Sequence, residues 1–417
     1  VSGTAPVVVA GAGIAGLATA IALARRGIAV EVFERAARLA EIGAGLQLSP
    51  NAVHALDRLG LRDAVSAVAV APEAVRIASV ARGRPIARVP LGDGAAKRHG
   101  APYFLVARAD LQAVLLAAAA AEPNIRLTLS RPVTGVTDEP AGVRVQTPAG
   151  EVVARALVGA DGVGSAVRAA IGGGAAAPTG KVAFRATAPV DAAAAIGGVR
   201  LADDAWIWLS PRAHLVHYPM HGGARLNLVA VAEATADDGR ATVHGNGANG
   251  NATGNGTGNG GEWNHAAAAE AVLARFASFP PAVRSLLAAG EDWRRWPLAT
   301  VDPAGPWRRG RTVLIGDAAH AMVPFLAQGA AMAIEDAVVL ADHLAGTDDT
   351  EAALVAFGRT RRDRVRQVCA AAVRNGEIYH LAGVAAAARD TALSLAPPGL
   401  LLAGFDWLYG WRPAAAR

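Results

Sequence analysis

Unbroken apolar runs with a β-branched bias alternate along this chain with stretches of helical period, and the first pair sets the theme. Val7–Ala10 (VVVA) suits a buried strand; it passes through Gly11-Ala12-Gly13-Ile14-Ala15-Gly16 into LATAIALARRG, a helical stretch ending near Gly27. The run from Val7 to Ala24 holds no charge over eighteen residues and so mimics a membrane span. Its glycines divide it into strand and helix, and no basic region of a signal peptide stands before it. A second strand, IAVEVFER, ends at Glu34. Beyond residue 179 the pattern changes to strand after strand: KVAFRATAPV, AWIWLSP, HLVHYPM and RLNLVAVAE. A Gly/Asn tract at 245–261 follows, which nothing in its composition allows to form a core, and it is expected to be a disordered loop. A helix is expected near 265–289, and from about Thr350 the chain reads as Ala-rich helices.

Composition adds limits. With 53% hydrophobic residues the chain can bury large cores. The net charge of +5 rests on 40 basic side chains, of which only Lys97 and Lys181 are lysines. The arginines are scattered rather than interleaved with aromatics, which argues against nucleic acid as a partner. One cysteine, Cys369, excludes an intrachain disulfide framework and fits a reducing, cytoplasmic setting. In the helical context RVRQVCAAAV it reads as a packed thiol.

Chemistry enters with the glycines. G-x-G-x-x-G at a strand-to-helix turn permits a tight bend, close approach of a pyrophosphate and close helix packing. The phosphate then meets free N–H groups at a helix start. Glu34, eighteen residues after Gly16, stands where an acid grips a ribose diol. NAD and FAD share this fingerprint. Two later segments break the tie: LVGADGVGSAVR (157–168), with Asp161-Gly162 after a strand, and RTVLIGDAAHAMVPFLAQGA (311–330), with Asp317 after another. A buried carboxylate at Asp317 would need hydrogen-bond donors. Capping of a following helix is the plain alternative, which Pro324 and Gly329 disfavour.

GAGIAG, GADGVGSAVR and GDAAHAMVPFLAQGA occur in that order, with EIGAGLQLSPNAVHALDRLGL and the RADL of Arg108–Leu111 between the first two. Together they resemble the FAD-dependent aromatic hydroxylases, single-component flavoprotein monooxygenases of the 4-hydroxybenzoate hydroxylase fold, over nearly the full chain. The resemblance implies an α/β fold: a Rossmann-like FAD-binding domain (1–72, 101–178 and 290–350), an inserted, mainly antiparallel β-sheet substrate domain (73–100 and 179–289) and C-terminal helices (351–417). It implies FAD held by Gly11, Gly13, Ala15, Gly16, Glu34, Arg35, Arg108, Gln112, Asp161, Gly316, Asp317, Pro324, Gly329 and Ala330. In such enzymes the acid matching Asp317 accepts hydrogen bonds from the ribityl chain, the loop through Pro324 lies along the isoalloxazine, and the next helix aims its N-terminus at the pyrimidine edge. Ala331 stands where some relatives carry Asn, and Ala107 where many carry His.

The same resemblance implies NADH or NADPH as a transient co-substrate, dioxygen, and hydroxylation through a flavin C4a-hydroperoxide of an electron-rich aromatic such as 3-hydroxybenzoate, salicylate or 6-hydroxynicotinate. For HLVHYPMH, strand alternation sends His214 and His217 to opposite faces, which argues against a metal site. The histidines could be structural. The favoured reading puts His214 and Tyr218 on one face as catalytic residues touching the substrate's phenol, with His214 near its ordinary pKa taking the proton. Gln47, Trp206, Trp208 and Gln328 are expected in the pocket wall, and Arg185 is a candidate partner for a substrate carboxylate. Trp206-Ile207-Trp208-Leu209-Ser210-Pro211 also comes near a flavin-halogenase signature, but Ser210 departs from it and no lysine precedes Lys97. Tailoring of a larger natural product and a non-catalytic FAD-binding protein stay open, as does a homodimer. LAPPGLLLAGFDWLYGW is expected to pack on its own domain rather than anchor to a membrane.

Overall fold

The computed structural model describes residues 5–39, 45–140, 142–196, 198–235 and 265–414, so the Gly/Asn tract lies outside the described residues. Val7–Ala10 is wholly buried and pairs in parallel with Val30–Phe33 on one side and Ala156–Gly159 on the other. Ile125–Thr128 and Thr312–Leu314 extend this sheet outward, and Arg308–Arg309 closes one edge to give six strands. A strand buried on both faces is what a run of valines without alternation permits. The helix Ile14–Ala24 is made almost entirely of small and aliphatic residues and is buried nearly throughout. It packs against the helix Gly329–Ala345, itself buried along most of its length. The two helices therefore share one layer of the nucleotide half.

The second half is an eight-stranded sheet. Its central strands Ala177–Pro189, Arg225–Glu233, Ala213–Met220 and Ala205–Ser210 run antiparallel to one another; Ala74–Ser79 joins Ala205–Ser210 in parallel, and Arg84–Pro90 closes that end. All four strands expected from the sequence are present. Glu291–Thr300, placed by sequence with the nucleotide region, instead pairs antiparallel with Ala177–Pro189 as part of this sheet. The chain re-enters the nucleotide sheet only at Arg308. The helix expected near 265–289 is two, Ala269–Arg275 and Pro281–Ala288, because Pro280 and Pro281 cannot continue the first.

The long helix Thr350–Tyr379 crosses both halves, lying along Gly329–Ala345 and reaching the sheet with its C-terminal end. The C-terminal LAPPGLLLAGFDWLYGW folds into the short helices Pro398–Ala403 and Asp406–Tyr409, with Leu402, Leu408 and Tyr409 buried against the protein. Among the described residues no helix is long and apolar enough to cross a membrane.

Candidate active site

Where the sheet faces the nucleotide layer, a cavity of about 550 Å³ opens, lined by both halves. Residues directly opposite one another on neighbouring strands share a face. One row across the sheet runs Arg185, Val229, Val216, Ile207 and Ile77, and the next runs Val231, His214 and Leu209. Tyr218 follows two residues along from Val216, and all of these side chains line the cavity. Within this sheet wall Arg185, His214 and Tyr218 are the polar members; the rest are aliphatic. Arg185 lies over the Trp296 ring, with 5.3 Å from its guanidinium carbon to the ring centre.

Burial governs the electrostatics here. The imidazole of His214 is held well below the ordinary histidine range by burial, with the neighbouring His380 and Lys181 adding to the effect. It is therefore neutral at pH 7, which corrects the expectation of an ordinary pKa: the fold offers a neutral donor–acceptor. Its Nδ1 is hydrogen-bonded to His380 Nε2 at 2.8 Å, which leaves Nε2 for the cavity. Burial likewise raises the Tyr218 phenol, with Arg185 opposing, so that it stays a protonated donor.

The other face of the same strands is core. Trp206 and Trp208 stack at 5.7 Å between ring centres, and Trp208 Nε1 donates to His217 Nε2. Both tryptophans are fully buried in the cluster behind the sheet, so neither belongs to the pocket wall, and the halogenase-like Trp pair has no access to the cavity. His217 shares that face, which excludes a joint metal site with His214; among the described residues no cluster of His, Cys, Asp or Glu is placed to hold a metal.

On the nucleotide side Gly13, Ile14 and Ala15 line the cavity, whereas Gly11 and Gly16 shape the turn beneath. Gly11 has φ +101°, and a Cβ on it would lie 2.5 Å from the Ala160 carbonyl oxygen; a Cβ on Gly16 would lie 1.9 Å from that of Gly11. Gly13 has open space instead. The helix it starts has no side-chain cap and no acid in its first turn, so its first N–H groups stand free for an anion. Glu34 accepts from the Ala12 and Ala36 N–H groups at 2.7 and 2.8 Å, which fixes its carboxylate beside the turn. Gln112 is buried under the turn and donates to the Ala12 carbonyl, while Arg35 is exposed outside the cavity lining. Arg108, at the start of the helix Arg108–Ala121, lines the cavity. Asp161 spends its carboxylate locally on Ser165 Oγ and the Val167 N–H; its neighbours Ala160 and Gly162 are what reach the cavity.

Asp317 also corrects an expectation. It is exposed at the cavity rather than buried, and a short helix, Asp317–His320, does begin there. The buried acids lie one layer lower. Asp336 accepts from the Gly316 N–H at 3.0 Å and bonds His320 Nε2 at 2.6 Å; Arg361 donates to Asp336 at 2.8 Å and to Glu335 at 2.6 Å. This set holds the Gly316-Asp317 turn from below. Gly316 itself fits between Ala15 and Ala333, whose Cβ atoms would lie 3.0 and 3.3 Å from a Cβ placed on it. Pro324, Gly329 and Ala330 line the cavity. Gln328 does not: it is buried, donating to Ser49 Oγ and accepting from Asn51, so it braces the loop instead of forming the wall. Gln47 is in the wall and accepts from Tyr103 Oη at 2.6 Å.

The sequence reading missed the C-terminal wall. Tyr379 Oη and Asn375 Nδ2 both donate to the Phe325 carbonyl, and Leu401, Phe405 and Tyr409 complete the enclosure. The signal available was the aromatic and polar cluster N-G-E-I-Y-H within an alanine-rich helix. Cys369 is half-buried, and burial pushes its thiol up to about 11, in keeping with a packed residue.

This cavity fits a flavin dinucleotide: an uncapped helix start at Gly13, glycine-bordered space at Gly162 and Gly329, and a second helix without a side-chain cap beginning at Gly329. The family described as "FAD binding domain" matches residues 4–242 and 282–372. A 3-hydroxybenzoate 6-hydroxylase of Polaromonas naphthalenivorans (strain CJ2) is 34% identical over 408 residues, covering 97% of this chain and 96% of that protein. A 3-amino-4-hydroxybenzoate 2-monooxygenase of Streptomyces cremeus is 35% identical over 407 residues, covering 97% and 94%. Among solved structures, Klebsiella pneumoniae HpxO complexed with FAD and uric acid superposes with a TM-score of 0.80 at 25% identity, covering 98% of each chain.

Proposed function

The chain belongs to the FAD-binding-domain family and is an FAD-dependent aromatic monooxygenase, and from its cavity we propose that it hydroxylates a small aromatic acid that already carries a phenolic hydroxyl, as 3-hydroxybenzoate does. The observation that carries this reading is the placement of Arg185, His214 and Tyr218 on an otherwise aliphatic sheet face. Arg185 is a planar cation suited to pair a substrate carboxylate. Two rows of β-branched and aliphatic side chains grip the ring, and His214 Nε2 and Tyr218 Oη meet the phenolic oxygen. A neutral tyrosine donor and a neutral histidine favour a phenolate over a phenol without adding a buried charge of their own. Loss of the phenolic proton enriches the ring in electrons, which is what electrophilic oxygen insertion requires.

When bound, FAD supplies the two-electron carriage between NAD(P)H and dioxygen. The pyrophosphate is assigned to the free N–H groups after Gly13, a ribose to Glu34, and the ribityl chain to Asp317; Arg108 adds a cation on the same wall. The uncapped start of Gly329–Ala345 offers positive potential to negative charge on the ring system. Phe325, Tyr379, Leu401 and Phe405 keep the reacting centre dry.

The test is the purified, FAD-loaded protein assayed for NADH and NADPH oxidation against a panel of monohydroxybenzoates, aminohydroxybenzoates and hydroxypyridine carboxylates. One phenolic acid is expected to accelerate oxidation strongly and to appear as its hydroxylated product by mass. If no aromatic acid accelerates oxidation, or if all the reducing equivalents end as hydrogen peroxide with every acid tried, the reading fails.

A further inference from the structure

We propose that a recess beside Trp307, in the nucleotide half, is a second binding site: it takes an aromatic carboxylate, and the occupant steadies the flavin-holding turn at Gly316-Asp317. The recess measures about 530 Å³ and shares no lining residue with the substrate cavity. The long helix Thr350–Tyr379 forms one side with Gly358, Arg359 and Arg362, whose spacing puts them on one helix face. The strand pair Arg308–Arg309 and Thr312–Leu314 forms the other side and brings Arg308 to the rim. Trp307 and Phe357, both buried, make the floor.

Three observations carry the assignment. The first is Gly358. Glycine inside a helix weakens it relative to alanine, so the position calls for a reason. In the same helix Gly376 has one, since a Cβ there would lie 2.5 Å from the Phe325 ring. A Cβ on Gly358 would meet nothing within 4 Å, and what its absence preserves is the recess. The second observation is charge. Three arginines border the opening, and among the described residues neither Arg359 nor Arg362 is in an ion pair; Asp363, the acid in the lining, turns to Arg366 at 3.8 Å. Burial and the nearby Arg366 both work against the charge on Arg362, whose guanidinium carbon lies 5.5 Å from the centre of the Trp307 ring. A carboxylate relieves that crowding and suits the arginine fork. The floor is apolar, and the Trp307 indole N–H is already given to the Pro303 carbonyl, so a plain aromatic ring fits there. A nucleotide base would find no partner for its polar edge. The third observation is position. Trp307 packs on His320 with 5.2 Å between ring centres, His320 Nε2 bonds Asp336 at 2.6 Å, and Asp336 accepts the Gly316 N–H at 3.0 Å. Filling the recess denies Trp307 and Arg362 alternative positions, which narrows the motion available to the turn.

The test titrates holoenzyme with radiolabelled benzoate in equilibrium dialysis. The unaltered protein should bind one equivalent more than Gly358→Leu, a change that fills the recess and favours the helix. Arg359→Gln combined with Arg362→Gln should weaken that same equivalent by roughly tenfold, the scale of a hydrogen bond to a charged group. Equal stoichiometry in the unaltered protein and Gly358→Leu would overturn the site. Displacement of the extra equivalent by inorganic phosphate as readily as by unlabelled benzoate would also overturn it, because the recess would then be a basic patch open to any anion. The effect on the turn is read from FAD release after dilution, followed by flavin fluorescence. Saturating benzoate should slow release about fivefold more in the unaltered protein than in Gly358→Leu, the low end of coupling between separate sites. Equal slowing in the two would overturn the link to the turn. The comparison cancels whatever benzoate does in the substrate cavity, so failure of the phenolic-acid reading leaves this test intact.

Discussion

His217 shows at the scale of one side chain what the fold does with alternation. It differs from His214 by three positions, points the other way, and lies wholly within the core beside Trp206 and Trp208. Burial lowers its pKa to about 3, against the ordinary value of 6.5. The folded state therefore favours the neutral ring. That contribution is complete above pH 6.5 and declines as the pH falls toward 3, because the unfolded chain binds a proton the folded chain refuses. His217→Gln keeps an acceptor for the Trp208 N–H and removes the titration. Between pH 7.5 and 5.0, urea unfolding of the unaltered protein should lose about 2 kcal/mol more than the variant does; equal losses would show that His217 does not titrate on unfolding. The opposite facing of the two histidines was legible in the sequence, since a period of two needs only a strand. The depth of burial of each was not, because it depends on what covers the sheet, and that comes from elsewhere in the chain: Phe325 and Tyr379 against His214, and the helices Ala269–Arg275 and Pro281–Ala288 in the cluster beside His217. The same limit applies to Trp206 and Trp208, whose shared face could be read but not which face it was.

Among the elements, the helix Gly329–Ala345 and its supports explain why the Gly316-Asp317 turn stands where it does. Glu335 and Asp336 are buried side by side, and Arg361 from Thr350–Tyr379 answers both. Burial opposes the charge on Asp336, yet His320 and Arg361 hold its carboxyl below the usual range. Arg364 gives Glu335 a second cation, and Asn51 adds a donor. Arg361→Leu leaves a buried carboxylate short of its partner, and such a loss costs roughly 3–5 kcal/mol. The variant should unfold at lower denaturant and also release FAD more readily, since Asp336 accepts the N–H of Gly316. Retained flavin affinity together with lost stability would show that the network supports the core but not the turn. Sequence reasoning found the turn through its glycine and acid, which are neighbours in the chain. It could not find the network, whose members come from four separated segments and look individually like ordinary surface residues.

For the molecule as a whole, the C-terminal helices complete a cavity whose other walls are the sheet and the nucleotide layer. Leu401 and Phe405 reach it from the short helices after Pro397, and Asn375 and Tyr379 pin the loop through Phe325. Phe405→Ala and Leu401→Ala should admit water, so that NAD(P)H oxidation continues while a growing share of it ends as hydrogen peroxide. The ratio of product to NAD(P)H consumed measures this, and an unchanged ratio would show that the enclosure lies elsewhere. Motif order was enough to identify the nucleotide half and the sheet half; the third contributor, alanine-rich and without a fingerprint, was visible only as helix.

The row structure of the sheet carries a practical consequence for anyone wishing to redirect this enzyme. Positions 207, 209, 216, 229 and 231 form a combinatorial surface that can be varied to reshape the bound molecule while His214 is kept. Their immediate neighbours at 206, 208, 215, 217, 228 and 230 belong to a different problem, since each is a structural member of the cluster behind the sheet or, in the case of 217, is bonded to it. A library that randomises contiguous stretches would spend most of its members on unfolded protein, whereas one that skips every second codon keeps the scaffold and explores the chemistry.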